Sequence, residues 1–187
     1  MYKSEFEAAI ERTKKFNLPC PPVEYSSELL LTDNKMNGFV YALRDSIGEL
    51  EPKEVVAQCL SIHYRVLDVV SNFFKTDCYF TIGYVESDNG TLFYQSENDL
   101  KNILINGADR PSLSIHAWLT LPTMEILDFS LPTSFAIINN IKEGIGGLIA
   151  RHADRLINGV KYHPMLIGED FLRESGLLIE FGISRPA

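Results

Sequence analysis

The chain is poor in cysteine. Cys20, Cys59 and Cys78 are odd in number and far apart, so they form neither a disulfide framework nor a zinc motif. That usage points to the reducing cytoplasm. Long apolar runs are missing too: nothing approaches the roughly 18 residues a membrane span requires, and no membrane partner is expected. The opening residues, Met1-Tyr2-Lys3-Ser4-Glu5-Phe6-Glu7, are too polar for a signal peptide. Positive charge is scarce, with 17 Lys and Arg against 25 Asp and Glu and a formal net charge of -8. The longest basic cluster is Lys14-Lys15 with Arg12 nearby, which excludes a general affinity for nucleic acid. The acidic excess favours solubility and names no partner. Internal repeats and low-complexity tracts are absent.

What is there is ordinary globular material. Apolar residues make up 45% and charged residues 22% of 187, enough for one domain over residues 1–187 to bury its own core. Ser4 to Lys15 reads as a first helix, ended before Pro19-Cys20-Pro21-Pro22. Residues 23–37 read as irregular, Asn37-Gly38 as a turn, and 39–47 as a short helix stopped by Gly48. Pro52 suits a helix start. Ile62, Val66, Val69 and Phe73 then recur at helical spacing, with Cys59 on the same stripe.

Cys78 to Val85 reads as a strand, and Asp88-Asn89-Gly90 as a turn. Ser96 caps a helix running to about Asn106. Leu113 to Leu121 alternates, with Ser114, His116, Trp118 and Thr120 on one face. Glu125 to Ser130 is a second strand. Residues 134–158 and Pro164 to Ser175 read as a helical C-terminal region, with Gly176 as a stop and Leu177 to Ile183 as a last strand. Grouped strands flanked by helices predict an α+β fold with an antiparallel sheet packed by helices.

Thiol chemistry needs a thiolate, a base beside it and a third group to orient the base. Cys59 near a helix start, His116 on one strand and Asp128 on the next supply these types in order. His116 and Asp128 oppose each other if a three-residue loop, Leu121-Pro122-Thr123, joins the strands; a two-residue turn would put them on opposite faces. The catalytic reading also needs a break between Glu51 and Gln58, since otherwise Cys59 lies two turns inside a helix.

Gln58-Cys59-Leu60, Thr81-Ile82-Gly83-Tyr84-Val85, His116-Ala117-Trp118-Leu119 and Glu125-Ile126-Leu127-Asp128 resemble the transglutaminase-like branch of the papain-like cysteine enzymes. The nearest likeness is to bacterial peptide-processing members found with lasso peptides, over about residues 55–131. The resemblance implies a papain-like or transglutaminase-like core, with Cys59 as nucleophile, His116 as base and Asp128 as its orienter. It makes 86–112 a helical insertion between core strands. It implies a cysteine hydrolase or acyltransferase with a peptide or protein substrate and no cofactor. Trp118 would wall the cleft and Gln58 would be a side-chain donor to the oxyanion.

Blander readings stand beside these. Free cysteine is commonly buried as a small apolar residue. His116 reads equally as a structural histidine, and Asp128 as a partner for a nearby turn. Cys59 and His63, four apart, suit a helical metal pair, but no second pair completes a site, and no metal is expected. The alternative function is a non-catalytic binding domain on the same fold. Oligomeric state is not legible.

Overall fold

A computed structural model describes residues 1–88, 90–107 and 114–177. In chain order these form α1 (Tyr2–Lys15), α2 (Asp33–Ile47), α3 (Pro52–Val55), α4 (Cys59–Phe74), β1 (Tyr79–Ser87), β2 (Gly90–Leu92) and α5 (Glu97–Asn106). Then come β3 (His116–Thr120), β4 (Glu125–Asp128), α6 (Leu131–Ile138), β5 (Ile149–His152), β6 (Lys161–Ile167) and α7 (Asp170–Glu174). The fold is α+β, as the grouped strands predict. Among the described residues, no helix is long and apolar enough to cross a membrane.

Among the described residues all strand pairs are antiparallel, in the order β2-β1-β3-β4-β5 with β6 on the other edge of β1. Thr81, Ile82 and Gly83 pair with both β3 and β6, so β1 is central there. Alternation then sends side chains to two separate cores. Phe80, Ile82, Ala117, Leu119 and Leu127 pack with Val66, Val70 and Phe74 of α4 and Phe39 of α2. On the other face, Tyr79, Val85, Trp118, Ile126 and Tyr162 pack with Tyr2, Phe6 and Ala9 of α1. Both faces of β3 are therefore covered, and all five of its residues are buried.

The helix carrying Cys59 breaks where the catalytic reading requires. Glu51 and Glu54 form a capping box around Pro52, and α3 lasts four residues. Ala57 then takes a left-handed φ of 58°, a conformation a helix cannot continue through. Gln58 becomes the N-cap and Cys59 the first residue of α4. The stripe along α4 is Cys59, Ile62, His63, Val66, Val70 and Phe74, all buried. Each aliphatic or aromatic member stabilises the fold by about 1.5–3 kcal/mol.

Four local expectations are corrected. The Asn37-Gly38 turn lies inside α2, which begins at Asp33 and stops at Gly48 as expected. Packing of α2 on α4 overrides the turn propensity, with Phe39 against Phe73 and Phe74. The helical reading of 134–158 holds only to Ile138. Gly144 and Gly146 have φ of 99° and 72°, so the chain turns back and adds β5 to the sheet edge. Pro164 to Ser175 is not one helix: residues up to Ile167 belong to β6 and only Asp170–Glu174 is helical. Pro164 is tolerated because β6 is an edge strand with a register shift opposite Gly83. Finally, Leu119 pairs with Leu127 and Thr120 with Ile126, which centres the β3–β4 turn on Thr123 rather than Pro122. Met124, at φ 61°, closes that turn. The proposed last strand, Leu177 to Ile183, falls almost wholly outside the described residues.

Gly83 is where backbones meet most closely. A Cβ there would collide with the His163 carbonyl oxygen and lie 2.7 Å from the Trp118 ring. Gly83→Ala is expected to cost at least about 3 kcal/mol in urea unfolding. Gly38→Ala, inside α2 with its nearest foreign atom 3.5 Å away, is expected to be neutral or to stabilise by up to about 1 kcal/mol.

Candidate active site

Asp128 ends β4 with its side chain on the α1 face of the sheet, the face His116 also uses. Shifting the turn centre by one residue moves the register by two, so the two side chains stay on one face but lie diagonally instead of directly opposed. His116 Nε2 donates to Asp128 Oδ2 at 2.6 Å. Tyr162 Oη donates to the same oxygen at 2.7 Å. The other oxygen, Oδ1, accepts from the Ser130 amide at 2.9 Å, the Ser130 hydroxyl at 3.1 Å and the Leu131 amide at 3.0 Å. Asp128 therefore both orients the imidazole and bonds the following turn, which is also the start of α6. The helix dipole there favours its negative charge.

These contacts set the protonation states. Burial would raise the Asp128 pKa, but the His116 charge and hydrogen bond, then the Tyr162 hydrogen bond, pull it well below the usual carboxylate range. Burial would likewise lower His116. The Asp128 charge and hydrogen bond outweigh that, the Cys59 side chain adds to them, and the imidazole is held well above its ordinary value. Burial and the Asp128 charge raise Tyr162, which stays a neutral donor.

The structure brings Cys59, His116 and Asp128 together. Cys59 Sγ lies 3.5 Å from the carbonyl oxygen of Ile115, one residue before His116, and the Cys59 side chain is near enough to the imidazole to help raise its proton affinity. With Nε2 engaged by Asp128, Nδ1 is the ring nitrogen left for the thiol. Cys59 is 9% exposed, His116 1% and Asp128 0%. Phe93 covers the imidazole, stacked at 4.9 Å and 21°, from a backbone with φ 65°. That left-handed φ is strained for a bulky residue. Trp118 lies behind His116, fully buried, with its indole N–H donating to Tyr2 Oη at 2.7 Å. Gln58 is exposed at the N-cap of α4.

Two members of the cluster escaped sequence reasoning. His63, weighed from the sequence only as a metal partner of Cys59, interrupts the apolar stripe of α4; it sits beside Asp128 and bonds the Cys59 carbonyl and the Phe129 amide. Its break in the stripe was the available signal. Tyr162 reaches Asp128 from 34 residues away, and nothing local announces it. Among the described residues, no group of three or more His, Cys, Asp or Glu side chains could hold a metal ion. A cavity of about 550 Å³ lies on the same sheet face, lined by Val85, Leu92, Leu131, Phe135, Ile149 and Arg151 among others. None of the three candidate residues lines it.

The pair gives stability a pH signature. His116 binds its proton more tightly when folded, so its contribution is complete below about pH 6.5 and is lost as pH rises through its raised folded value. The Asp128 contribution is complete above about pH 3.9 and is lost as pH falls through its depressed value. Burial lowers His63 to about 4, so stability also declines from about pH 6.5 towards 4. Unfolding free energy from urea titrations should thus peak near pH 6.5, with limbs of up to about 1.4 kcal/mol per pH unit. His116→Gln should flatten the alkaline limb, and an unchanged limb would refute the ion pair.

No family model, curated protein or solved structure matches this chain.

Proposed function

We propose that the protein is a cysteine-dependent hydrolase or acyltransferase that opens an amide or thioester carbonyl of a peptide or protein, with a transglutaminase-like core. The observation that carries this reading is the convergence of three segments: a thiol opening a helix, an imidazole beside it, and a carboxylate 2.6 Å from that imidazole's far nitrogen. A third group that fixes the base's orientation is what nucleophilic catalysis asks for.

In this reading, His116 carries on Nδ1 the proton that Cys59 gives up, so the working form is an imidazolium beside a thiolate. The thiolate attacks the carbonyl carbon, a C–S bond forms, and the π electrons move to oxygen. Because α4 begins at Cys59, the amides of its first turn lack helical partners and face that oxyanion. Collapse expels the amine or thiol, which takes the proton from His116 and leaves an acyl-enzyme. Water or an amine then attacks, giving its proton to His116 and releasing the acyl group as acid or amide. His116 keeps that proton, which restores the imidazolium beside the thiolate. Gln58 is the candidate second donor to the oxyanion, and Trp118 supports the imidazole from behind. A reducing, cytoplasmic setting keeps the thiol usable.

A second reading is a non-catalytic binding domain in which the three residues hold the sheet together. The burial of the sulfur, and of the imidazole beneath Phe93, favours it.

Iodoacetamide separates the two. In the folded protein at pH 6, Cys59 is expected to alkylate at least about tenfold faster than Cys20 and Cys78, whose thiols burial pushes up. His116→Ala should abolish that preference, read by peptide mass spectrometry. Labelling of Cys59 only after unfolding would reject the enzyme.

A further inference from the structure

His63 is a buried imidazole that the proposed chemistry leaves unused. It belongs to α4, four residues after Cys59, and is 0% exposed. Nδ1 donates to the Cys59 carbonyl at 2.7 Å. Nε2 accepts from the Phe129 amide at 3.0 Å. The second bond fixes the tautomer. A ring nitrogen accepting an N–H carries no proton, so the proton is on Nδ1 and the ring is neutral. Asp128 Oδ1 lies 3.5 Å from Nε2, but Ser130 and Leu131 already supply that oxygen with three donors. The rings of His63 and His116 are 6.4 Å apart, edge to face, so His63 does not touch the base through a ring nitrogen.

We propose that His63 is a positioning residue: a neutral crosslink that fixes the backbone of the nucleophile, Cys59, against the residue following the carboxylate, Phe129. This rests on the enzyme reading of the same site. Cys59 is the first residue of its helix, where turns fray and the sulfur would otherwise wander. Asp128 is the last residue of its strand, where pairing with β3 has ended and β5 alone continues the ladder through Ile149. One rigid ring spans the two element ends and sets the distance from sulfur to carboxylate across His116. The low affinity of His63 for a second proton follows first from burial, with the His116 charge adding; Asp128 and the Cys59 carbonyl oppose it. An imidazole held neutral beneath a charged one leaves the Asp128 carboxylate to His116.

The test compares His63→Phe, which keeps the ring shape and removes both bonds, with His63→Asn and His63→Gln. The first amide can reach the Cys59 carbonyl, the second the Phe129 amide. At pH 7 His63→Phe should slow Cys59 alkylation at least about tenfold, while each amide variant recovers part of the rate. A folded His63→Phe protein that labels within about twofold of wild type would overturn the proposal. So would unchanged rates in both amide variants, if His63→Phe fails to fold.

If wild-type Cys59 shows no preferential labelling, the enzyme reading falls, and ¹⁵N-histidine spectra decide the positioning claim alone. They should show His63 protonated at Nδ1 and His116 ring resonances displaced in the His63 variants. A different His63 tautomer, or unmoved His116 resonances, would sink it.

Discussion

A fully buried carboxylate organises this molecule. A bare ion of that size in a protein interior would cost several kcal/mol, so the surrounding chain must supply donors. Asp128 receives five, from His116, Tyr162, both polar hydrogens of Ser130, and the Leu131 amide. They come from β3, β6, and the turn that becomes α6. Each element is thereby fixed at one point of its length. The sheet curls so that β6, at one edge, brings Tyr162 to a residue on β4, with β1 and β3 between them in the strand order.

Two imidazoles flank that carboxylate and have opposite character. His116 donates to it directly and keeps its proton far above the ordinary range. His63, equally buried, meets a carbonyl with one nitrogen and an amide with the other, and stays neutral. Their chemistry differs because of hydrogen-bond partners, not depth. A charged ring needs an anion within bonding distance; a neutral ring needs one donor and one acceptor.

Features with a local cause were legible in the sequence. The capping box of Ser96 and Asp99 starts α5 as read. The alternation of β3 put His116, Trp118 and Thr120 on one face. The apolar stripe of α4 gave its length, though its start depended on Ala57, an unremarkable residue in a left-handed conformation that no pattern announces. The β3–β4 turn was missed by one residue because Pro122 is the obvious turn former, yet Met124 takes the positive φ. The strands β5 and β6 were hidden for a different reason. Ile149–His152 is too short to show a period, and Pro164 argues against any strand not at an edge. Edge position is a property of the finished sheet. Tyr162 and His63 joined the site through contacts of that same non-local kind.

The first helix carries a consequence for how the chain assembles. Tyr2 Oη accepts from the Trp118 indole and bonds the Thr120 hydroxyl, Arg12 donates to the Met165 carbonyl, and Thr13 accepts from the Ile167 amide. All those partners are more than 110 residues further along. During synthesis α1 therefore leaves the ribosome with Phe6 and Ala9 uncovered, and it cannot dock until β6 has followed. The sheet face that holds the imidazole and carboxylate is closed by a helix whose partners lie far along the chain, so completing that face depends on long-range contacts.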